Sequence, residues 1–271
     1  MKIGIVGAGT MAEAIIKGLL GRNLCGPEML VASAPREERR AFLQYEYGIR
    51  AVSGNAEAAA GASTVILCVK PQTVAAVLPE LRAVLQPRQA LVSVAAGVPL
   101  SAIEAASEHH ALVRAMPNTP SLVGEGMTVW VATEGTDGGQ LEEVRSIFGA
   151  LGRQMQVSNE SFLNMATSIS GCGPAYLFLL MEAMTDAGVQ IGLPRYMAEE
   201  LVTQTVLGAA RLAQETGRHP ATLKNAVTSP GGTAAQALYH LEKGGLRSTM
   251  AEAVLAAYQR AQSLGKAGEP A

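Results

Sequence analysis

The chain is poor in charge and in aromatic rings. Of its 271 residues, 16% are Asp, Glu, Lys or Arg and 4% are Phe, Trp or Tyr. Acidic and basic side chains number 23 and 21, a net charge of −2, so there is no basic surplus for a nucleic-acid backbone or an anionic membrane surface. Its cysteines, Cys25, Cys68 and Cys172, are odd in number, scattered and free of any C-x-x-C spacing. That excludes a disulfide framework and fits reduced thiols in a cytoplasmic protein. No signal peptide is expected, because Lys2 leads straight into an apolar strand. The apolar run from Pro174 to Met181 is too short to span a bilayer and stops at Glu182. There is no H-E-x-x-H, no cysteine–histidine cluster, no carboxylate pair at catalytic spacing and no G-x-S-x-G. A metal centre and a serine-hydrolase elbow are therefore not expected. His109 and His110 lie among polar residues and read as surface groups; His219 precedes a proline in a turn, and His240 falls on a helix face.

What the chain does have is hydrophobic mass, 48% of its residues, enough for a substantial core. In the first half, apolar runs alternate with helical patterns. The runs are 3–6, 29–32, 65–69, 90–94 and 112–116, with helical patterns at 11–20, 36–47, 56–60 and 72–85 between them. Further strands at 127–131 and 154–157 flank a helix at 138–151. Strands alternating with helices predict a parallel, doubly wound α/β sheet of Rossmann type, ending near Ser158. From Ser161 onward no segment reads as a strand. Helical patterns at 162–168, 176–189, 195–216, 233–243 and 246–264 are separated by glycine- and proline-rich breaks. Two domains follow: 1–158 for a dinucleotide, and an all-helical 159–271. The apolar faces of those helices exceed what five helices cover alone, which predicts helix packing between subunits.

The most telling stretch is the first, Ile3-Gly-Ile-Val-Gly7-Ala8-Gly9-Thr10-Met11-Ala12. A strand turns on glycine into a helix N-terminus, whose unpartnered N–H groups and dipole favour an anion. Gly7 suits the tight turn, Gly9 allows close approach of a pyrophosphate, and Ala12 lets helix and strand pack closely. Such a G-x-G-x-x-A is also compatible with an ordinary βα turn. A free ribose 2′-hydroxyl usually meets an acid about 20 residues past the glycines. The corresponding stretch, Met29 to Arg36, has none. Ser33 and Arg36 there favour the 2′-phosphate of NADP, with a merely solvated Arg36 as the plain alternative. Three more turns follow strand ends, where ligands bind in open α/β sheets: Val69-Lys70-Pro71, Ala95-Ala96-Gly97 and Met116-Pro117-Asn118-Thr119-Pro120. Lys70 is equally a functional cation or a solvated strand-end charge.

Two helix breaks in the second half carry unusual chemistry. Ser168-Ile-Ser170-Gly171-Cys172-Gly173-Pro174-Ala-Tyr176 and Val227-Thr-Ser229-Pro230-Gly231-Gly232-Thr233 each set glycines before a helix start, a way to hold a carboxylate with neutral donors. Well-capped inter-helix loops explain the same residues. Charged groups are sparse in both. Hydride transfer needs an oriented electrophile and exclusion of water rather than a charged nucleophile, and a cyclic imine is such an electrophile.

Along nearly its whole length the chain resembles pyrroline-5-carboxylate reductase. The resemblance rests on Ile5–Ala12, Val69–Pro71, Ala95–Gly97, Arg114–Pro120 with Gly124–Met127, Ser170-Gly171 with Gly173–Tyr176, Gly192–Pro194 and Ser229–Gly232. It implies an NADP-dependent enzyme reducing 1-pyrroline-5-carboxylate to L-proline, the last step of proline synthesis. It also implies a helical dimerisation domain, with dimers sometimes assembled into larger rings. By that resemblance cofactor contacts fall on Gly7, Ala8, Gly9, Thr10, Met11, Ser33, Arg36, Asn55, Val69, Lys70, Pro71, Ala95, Ala96 and Gly97. The substrate site falls on Thr167, Ser170, Gly171, Cys172, Gly173, Gly231, Gly232, Thr233 and Ala234, with the Ser-Pro-Gly-Gly loop holding the substrate carboxylate, often across the dimer. The chain departs from the family pattern at Thr10, Ala34, Asn164, Cys172, Asn225 and Ala234. Ala234 replaces a threonine that is a candidate proton donor. Two alternatives are a paralogue acting on another cyclic imine or amino acid and a non-catalytic dinucleotide-binding regulator. A 2-hydroxy acid dehydrogenase fits less well, because 162–189 contains no lysine.

Overall fold

A computed structural model of the chain describes residues 1–266. In order, the sheet half runs β1 (Ile3–Val6), α1 (Thr10–Gly21), β2 (Leu30–Ser33), α2 (Glu37–Tyr47), β3 (Arg50–Val52), α3 (Asn55–Ala59), β4 (Thr64–Leu67) and α4 (Pro71–Arg82). It continues β5 (Ala90–Ser93), α5 (Leu100–Ser107), β6 (Leu112–Met116), β7 (Gly126–Ala132), α6 (Gly138–Gly149) and β8 (Gly152–Gln156). The eight strands form one sheet in the order β3-β2-β1-β4-β5-β6-β7-β8. The chain reverses direction across the sheet at β1 and β4, the crevice where open α/β sheets bind ligands.

Strand alternation explains the two layers. Ile3, Ile5, Ile66, Val92 and Val113 point to one face, joined there by Trp130 and Phe148 with ring centroids 6.0 Å apart. Val6, Val65, Leu67 and Leu91 point to the other and meet Val74, Leu78 and Leu81 of α4. All these residues are buried, as central parallel strands covered by helices on both faces should be. Gly4 belongs to this packing: a Cβ there would lie 2.3 Å from the Ala58 carbonyl oxygen of α3.

The sheet departs from the expectation in three respects. It is not wholly parallel, since β6 and β7 pair antiparallel, Ala115 opposite Trp130. The connection between them holds only a 3-10 turn, Thr119–Val123, too short for a crossover helix. Two elements, β3 and α5, were not foreseen. Arg50-Ala-Val52 is too short to show an apolar run, and α5 buries only Ile103 and Ser107. His109 is buried rather than on the surface, its Nε2 2.7 Å from the Gln89 carbonyl oxygen.

Beyond the sheet, α7 (Ser161–Ala166) runs through a π turn (Thr167–Gly171) toward α8 (Gly173–Gln190). The expected helix break around Gly171–Pro174 is thus one nearly continuous helical path with a wide turn in it. Then follow α9 (Arg195–Thr216), α10 (Pro220–Ala226), α11 (Thr233–Lys243) and α12 (Leu246–Lys266). The expected break at 217–220 stands, and after it α10 is a helix that was not foreseen, with the His219 ring accepting from the Ala221 N–H at 3.2 Å. The described residues after Ser161 contain no strand.

The chain forms two compact units: Met1–Cys172 with the last helix from Ala257 on, and Gly173–Ala256. In the second, α8 lies against α9, and Gly188 permits this, since a Cβ there would sit 3.1 Å from the Ala198 Cβ. Yet its described residues bury only Thr185, Ala198 and Val202, while Phe178 and Leu179 are 63% and 67% exposed. No described helix is long and apolar enough to cross a membrane.

In the first unit, Arg114 of β6 is 6% exposed and is paired with Glu160, the residue before α7. The same carboxylate oxygen accepts the Leu100 N–H at 2.9 Å, at the start of α5. A buried guanidinium without its partner costs several kcal/mol, less here because Glu160 keeps some solvent. Glu160→Gln should lower stability by about 2–4 kcal/mol. The check is urea unfolding, with the midpoint reduced and the slope unchanged.

Candidate active site

At the end of β1 the chain turns at Gly7, whose φ is +92°. A Cβ there would lie 2.6 Å from Val69 Cγ1 and 2.9 Å from the Val69 backbone nitrogen. Gly7 is thus doubly required, by backbone angle and by the approach of the turn after β4. Gly9 differs. Its φ is −83°, and a Cβ would meet nothing within 4 Å, so the space beside it is open. The Ala8 N–H donates to the Ser33 carbonyl oxygen at 3.0 Å, and the Gly9 N–H to that of Gly7 at 3.1 Å. The first intrahelical bond of α1 is from the Glu13 N–H to the Gly9 carbonyl oxygen, and no side chain caps the helix. The N–H groups of Thr10, Met11 and Ala12 lie ahead of it, an arrangement that suits an anion.

Around this turn three arginines have different fates. Arg39 donates from Nε to the Ala8 carbonyl oxygen at 2.8 Å and from Nη2 to Glu13 Oε2 at 2.5 Å. Arg40 donates to the Ala34 and Pro35 carbonyl oxygens, both at 2.8 Å. Arg36 is exposed at the start of α2 and has no side-chain partner among the described residues. Its guanidinium is the one left for a phosphate. Burial raises the Glu13 carboxyl, but hydrogen bonds from Arg39 and Tyr47 outweigh it and hold the group below its usual value. Its contribution to stability is therefore complete above pH 4.5 and is lost as pH falls through the lowered folded value. Burial and the Glu13 hydrogen bond push the Tyr47 phenol up to about 12.

Ser33 and Asn55 meet. The buried Ser33 hydroxyl donates to Asn55 Oδ1 at 2.8 Å and accepts the Gly7 N–H at 3.2 Å. Asn55 Nδ2 donates to Glu80 Oε2 of α4 at 2.9 Å. Ser33 thus holds the glycine turn from beneath, and its proton is committed to Asn55. Next along the crevice, Lys70 is exposed at the start of α4, Pro71 opens that helix, and Val69 packs on Gly7. Ala95, Ala96 and Gly97 follow β5, with Gly97 at φ +77°. Burial pushes the Cys68 thiol up to about 12; crowding by neighbouring atoms sets this although the residue keeps some exposure. It stays protonated at neutral pH and is no nucleophile.

In the π turn the Thr167 hydroxyl donates to the Leu163 carbonyl oxygen at 2.7 Å and that of Ser170 to Ala166 at 3.0 Å. Both hydroxyl protons are spent, so what the two side chains still offer is oxygen lone pairs. A Cβ on Gly171 would lie 2.9 Å from the Met116 Cε. Cys172 and Gly173 close the turn, half-exposed. In the second unit, Gly231 has φ +71° and Gly232 precedes α11. The first bond of that helix is from the Gln236 N–H to the Gly232 carbonyl oxygen, leaving the N–H groups of Thr233, Ala234 and Ala235 ahead of it. Among the described residues no His, Cys, Asp and Glu side chains gather into a metal-holding group. Sequence reasoning gave Arg39 no role and placed Asn118 only within the strand-end turn Met116–Pro120; its bond to the Ser170 carbonyl oxygen, at 3.0 Å, was not foreseen.

A family model described as pyrroline-5-carboxylate reductase dimerisation matches residues 160–264, and one described as NADP oxidoreductase, coenzyme F420-dependent, matches residues 2–97. The pyrroline-5-carboxylate reductase of Synechocystis sp. is 44% identical over 266 residues, 98% of this chain and 99% of that one. Two solved structures are similar throughout. The pyrroline-5-carboxylate reductase of Coxiella burnetii is 38% identical with a TM-score of 0.90, covering 97% of this chain and 98% of that one. The Plasmodium falciparum pyrroline carboxylate reductase with NADP bound is 32% identical with a TM-score of 0.88, covering 98% of both.

The two glycines of the first turn should separate by experiment. Gly7→Ala should cost about 2–4 kcal/mol, from positive φ plus overpacking, read as a lower urea midpoint. Gly9→Ala should keep stability within about 0.5 kcal/mol, as open positions do, while NADPH binding followed by fluorescence titration weakens markedly.

Proposed function

The chain belongs to the pyrroline-5-carboxylate reductase family, and on that premise we propose that it reduces 1-pyrroline-5-carboxylate to L-proline, with NADPH preferred over NADH. The observation that carries the reading is similarity along nearly the whole chain, both halves included. The first crevice suits a dinucleotide on its own chemistry: open N–H groups at Thr10 to Ala12, space beside Gly9, and small residues at Ala95 to Gly97. Arg36, with its donors unspent, supports a 2′-phosphate.

When bound, the reduced nicotinamide supplies the hydride. The chain's own part is to bind, orient and keep a charge balance. The backbone donors of Thr233 to Ala235 suit the substrate carboxylate without a cation. Thr167 and Ser170, with protons committed to helix carbonyls, suit a donor on the ligand. A protonated cyclic imine has one, its N–H. Hydride added to the carbon of C=N–H⁺ moves the π electrons onto nitrogen and gives the neutral secondary amine, which takes its next proton from solvent. In this reading the proton is present before reduction, and the missing hydroxyl at Ala234 removes a contact rather than a step. We further propose the division into a cofactor domain, 1–158, and a dimerisation and substrate domain, 159–271. The exposed apolar side chains of α8 and the dimerisation model over 160–264 support a homodimer.

Following the oxidation of NADPH by absorbance with 1-pyrroline-5-carboxylate tests the reading, and absence of turnover with normal NADPH binding would overturn it. Arg36→Ala should weaken NADPH by about ten- to a hundredfold, the range of a lost charged hydrogen bond, and leave NADH unaffected. Ala234→Thr should change kcat by no more than about tenfold, the scale of one neutral hydrogen bond, and should leave the decline at alkaline pH where it is. Sedimentation as a monomer at micromolar concentration would remove the dimer.

A further inference from the structure

The π turn at Thr167–Gly171 has a defect written into the sequence. In an α-helix the Ser170 carbonyl would accept from residue 174, but that residue is Pro174, which has no N–H. Cys172 does donate back into the turn, to the Thr167 carbonyl oxygen at 2.8 Å. The Ser170 carbonyl is met from outside the helix, by Asn118 Nδ2 at 3.0 Å. Asn118 is itself fixed, since its Oδ1 accepts the Met127 N–H at 2.8 Å, at the start of β7. One amide therefore ties the β6–β7 turn to the widest point of the helical path. Its neighbour Met116 fills the space that Gly171 leaves. At the other end of the same segment, Arg114 of β6 holds Glu160. Strand β6 and its turn grip the segment Glu160–Ser170 at both ends.

We propose that Asn118 is a positioning residue for substrate. By satisfying the carbonyl that Pro174 leaves without a donor, it fixes the π turn and so aims the Thr167 and Ser170 oxygens. The proposal rests on the reading that this turn faces the imine. Asn118 acts through the turn and touches no reacting atom. Its side-chain hydrogen bonds go to the Ser170 carbonyl oxygen and the Met127 N–H, and none goes to the glycine turn or its arginines, so its loss should be felt more by the imine than by the dinucleotide.

Asn118→Asp is the sharp variant. It keeps the acceptor for the Met127 N–H and replaces the donor with a carboxylate oxygen facing a carbonyl. KM for 1-pyrroline-5-carboxylate should rise about tenfold or more, as for a lost hydrogen bond with its partner left unpaired, while the Kd of NADPH stays within about twofold. Asn118→Ser removes the amide without adding charge and should move KM the same way, which guards against a misfolded aspartate variant. An unchanged KM in the folded serine variant would overturn the proposal while leaving the assigned reaction standing. If instead the wild-type protein shows no turnover, the reaction is wrong, and amide hydrogen exchange decides the role of Asn118 separately. Peptides covering 165–172 should exchange about tenfold faster in Asn118→Ser than in wild type, with those covering the glycine turn unchanged. Equal exchange would refute it.

Discussion

Where β1 ends, its backbone comes against the turn that follows β4, and no side chain can stand between them. Gly7 makes that approach, with Val69 lying where a Cβ would be. Much of the crevice depends on this contact. It sets the direction in which the chain leaves β1, and so where α1 begins and where its first N–H groups open. It also keeps Val69 to Pro71 beside the glycine turn. Ser33 completes the arrangement from the next strand, accepting the Gly7 N–H and passing its own proton to Asn55. Asn55 in turn holds Glu80 of α4. One absent side chain and one buried hydroxyl thus fix three turns, and leave the ligand to be met by backbone.

That economy of charge runs through both units. Arg39 and Arg40 both spend donors on backbone carbonyls, Arg39 at the glycine turn and Arg40 at the turn that follows β2. Their work is to hold the shape of those turns, and the Glu13 carboxylate beneath Arg39 balances its charge. Arg36 has no side-chain partner among the described residues, which supports the proposed role in recognition. In the second unit Gly231 and Gly232 lead into a helix whose opening N–H groups no side chain caps.

The sheet, its order around β1 and the helical second half were legible because apolar runs and glycine turns are local signals with a fixed period. What escaped was set by length or by distance. Arg50–Val52 is too short for alternation to register, and the β6–β7 reversal is visible only in the shortness of its connection. His109 looked solvated among polar neighbours and is buried through its bond to the Gln89 carbonyl, twenty residues back in the chain. The glycines and proline of 168–176 predict a break between helices, because these residues usually end them. Here they widen one instead, since a π turn tolerates the missing N–H when another donor is supplied. The glycine turn, Ser33 and Arg36 could be named as candidates from residue type and position. That the Ser33 proton is already spent, and that Arg39 rather than Arg36 braces the turn, depends on contacts no spacing encodes.

The alanine at 234 bears on how the reaction is organised. A hydroxyl at that position would matter most if the imine arrived neutral and had to be protonated as hydride arrived. The π turn argues for the other order. Thr167 and Ser170 have given their protons to Leu163 and Ala166, so the oxygens they present are acceptors. A neutral imine nitrogen, itself an acceptor, would face lone pairs there and lose by comparison with water. In the proposed reading a protonated imine would meet oxygens at Thr167 and Ser170 already oriented to receive its N–H. Acceptors there would favour the protonated form of the proposed substrate, and with it the more electrophilic carbon, because protonation of nitrogen is what makes that carbon ready for hydride. On this proposal the helix prepares its oxygens by how it satisfies its own hydrogen bonds, and the reaction needs no hydroxyl at 234 to bring a proton to the imine.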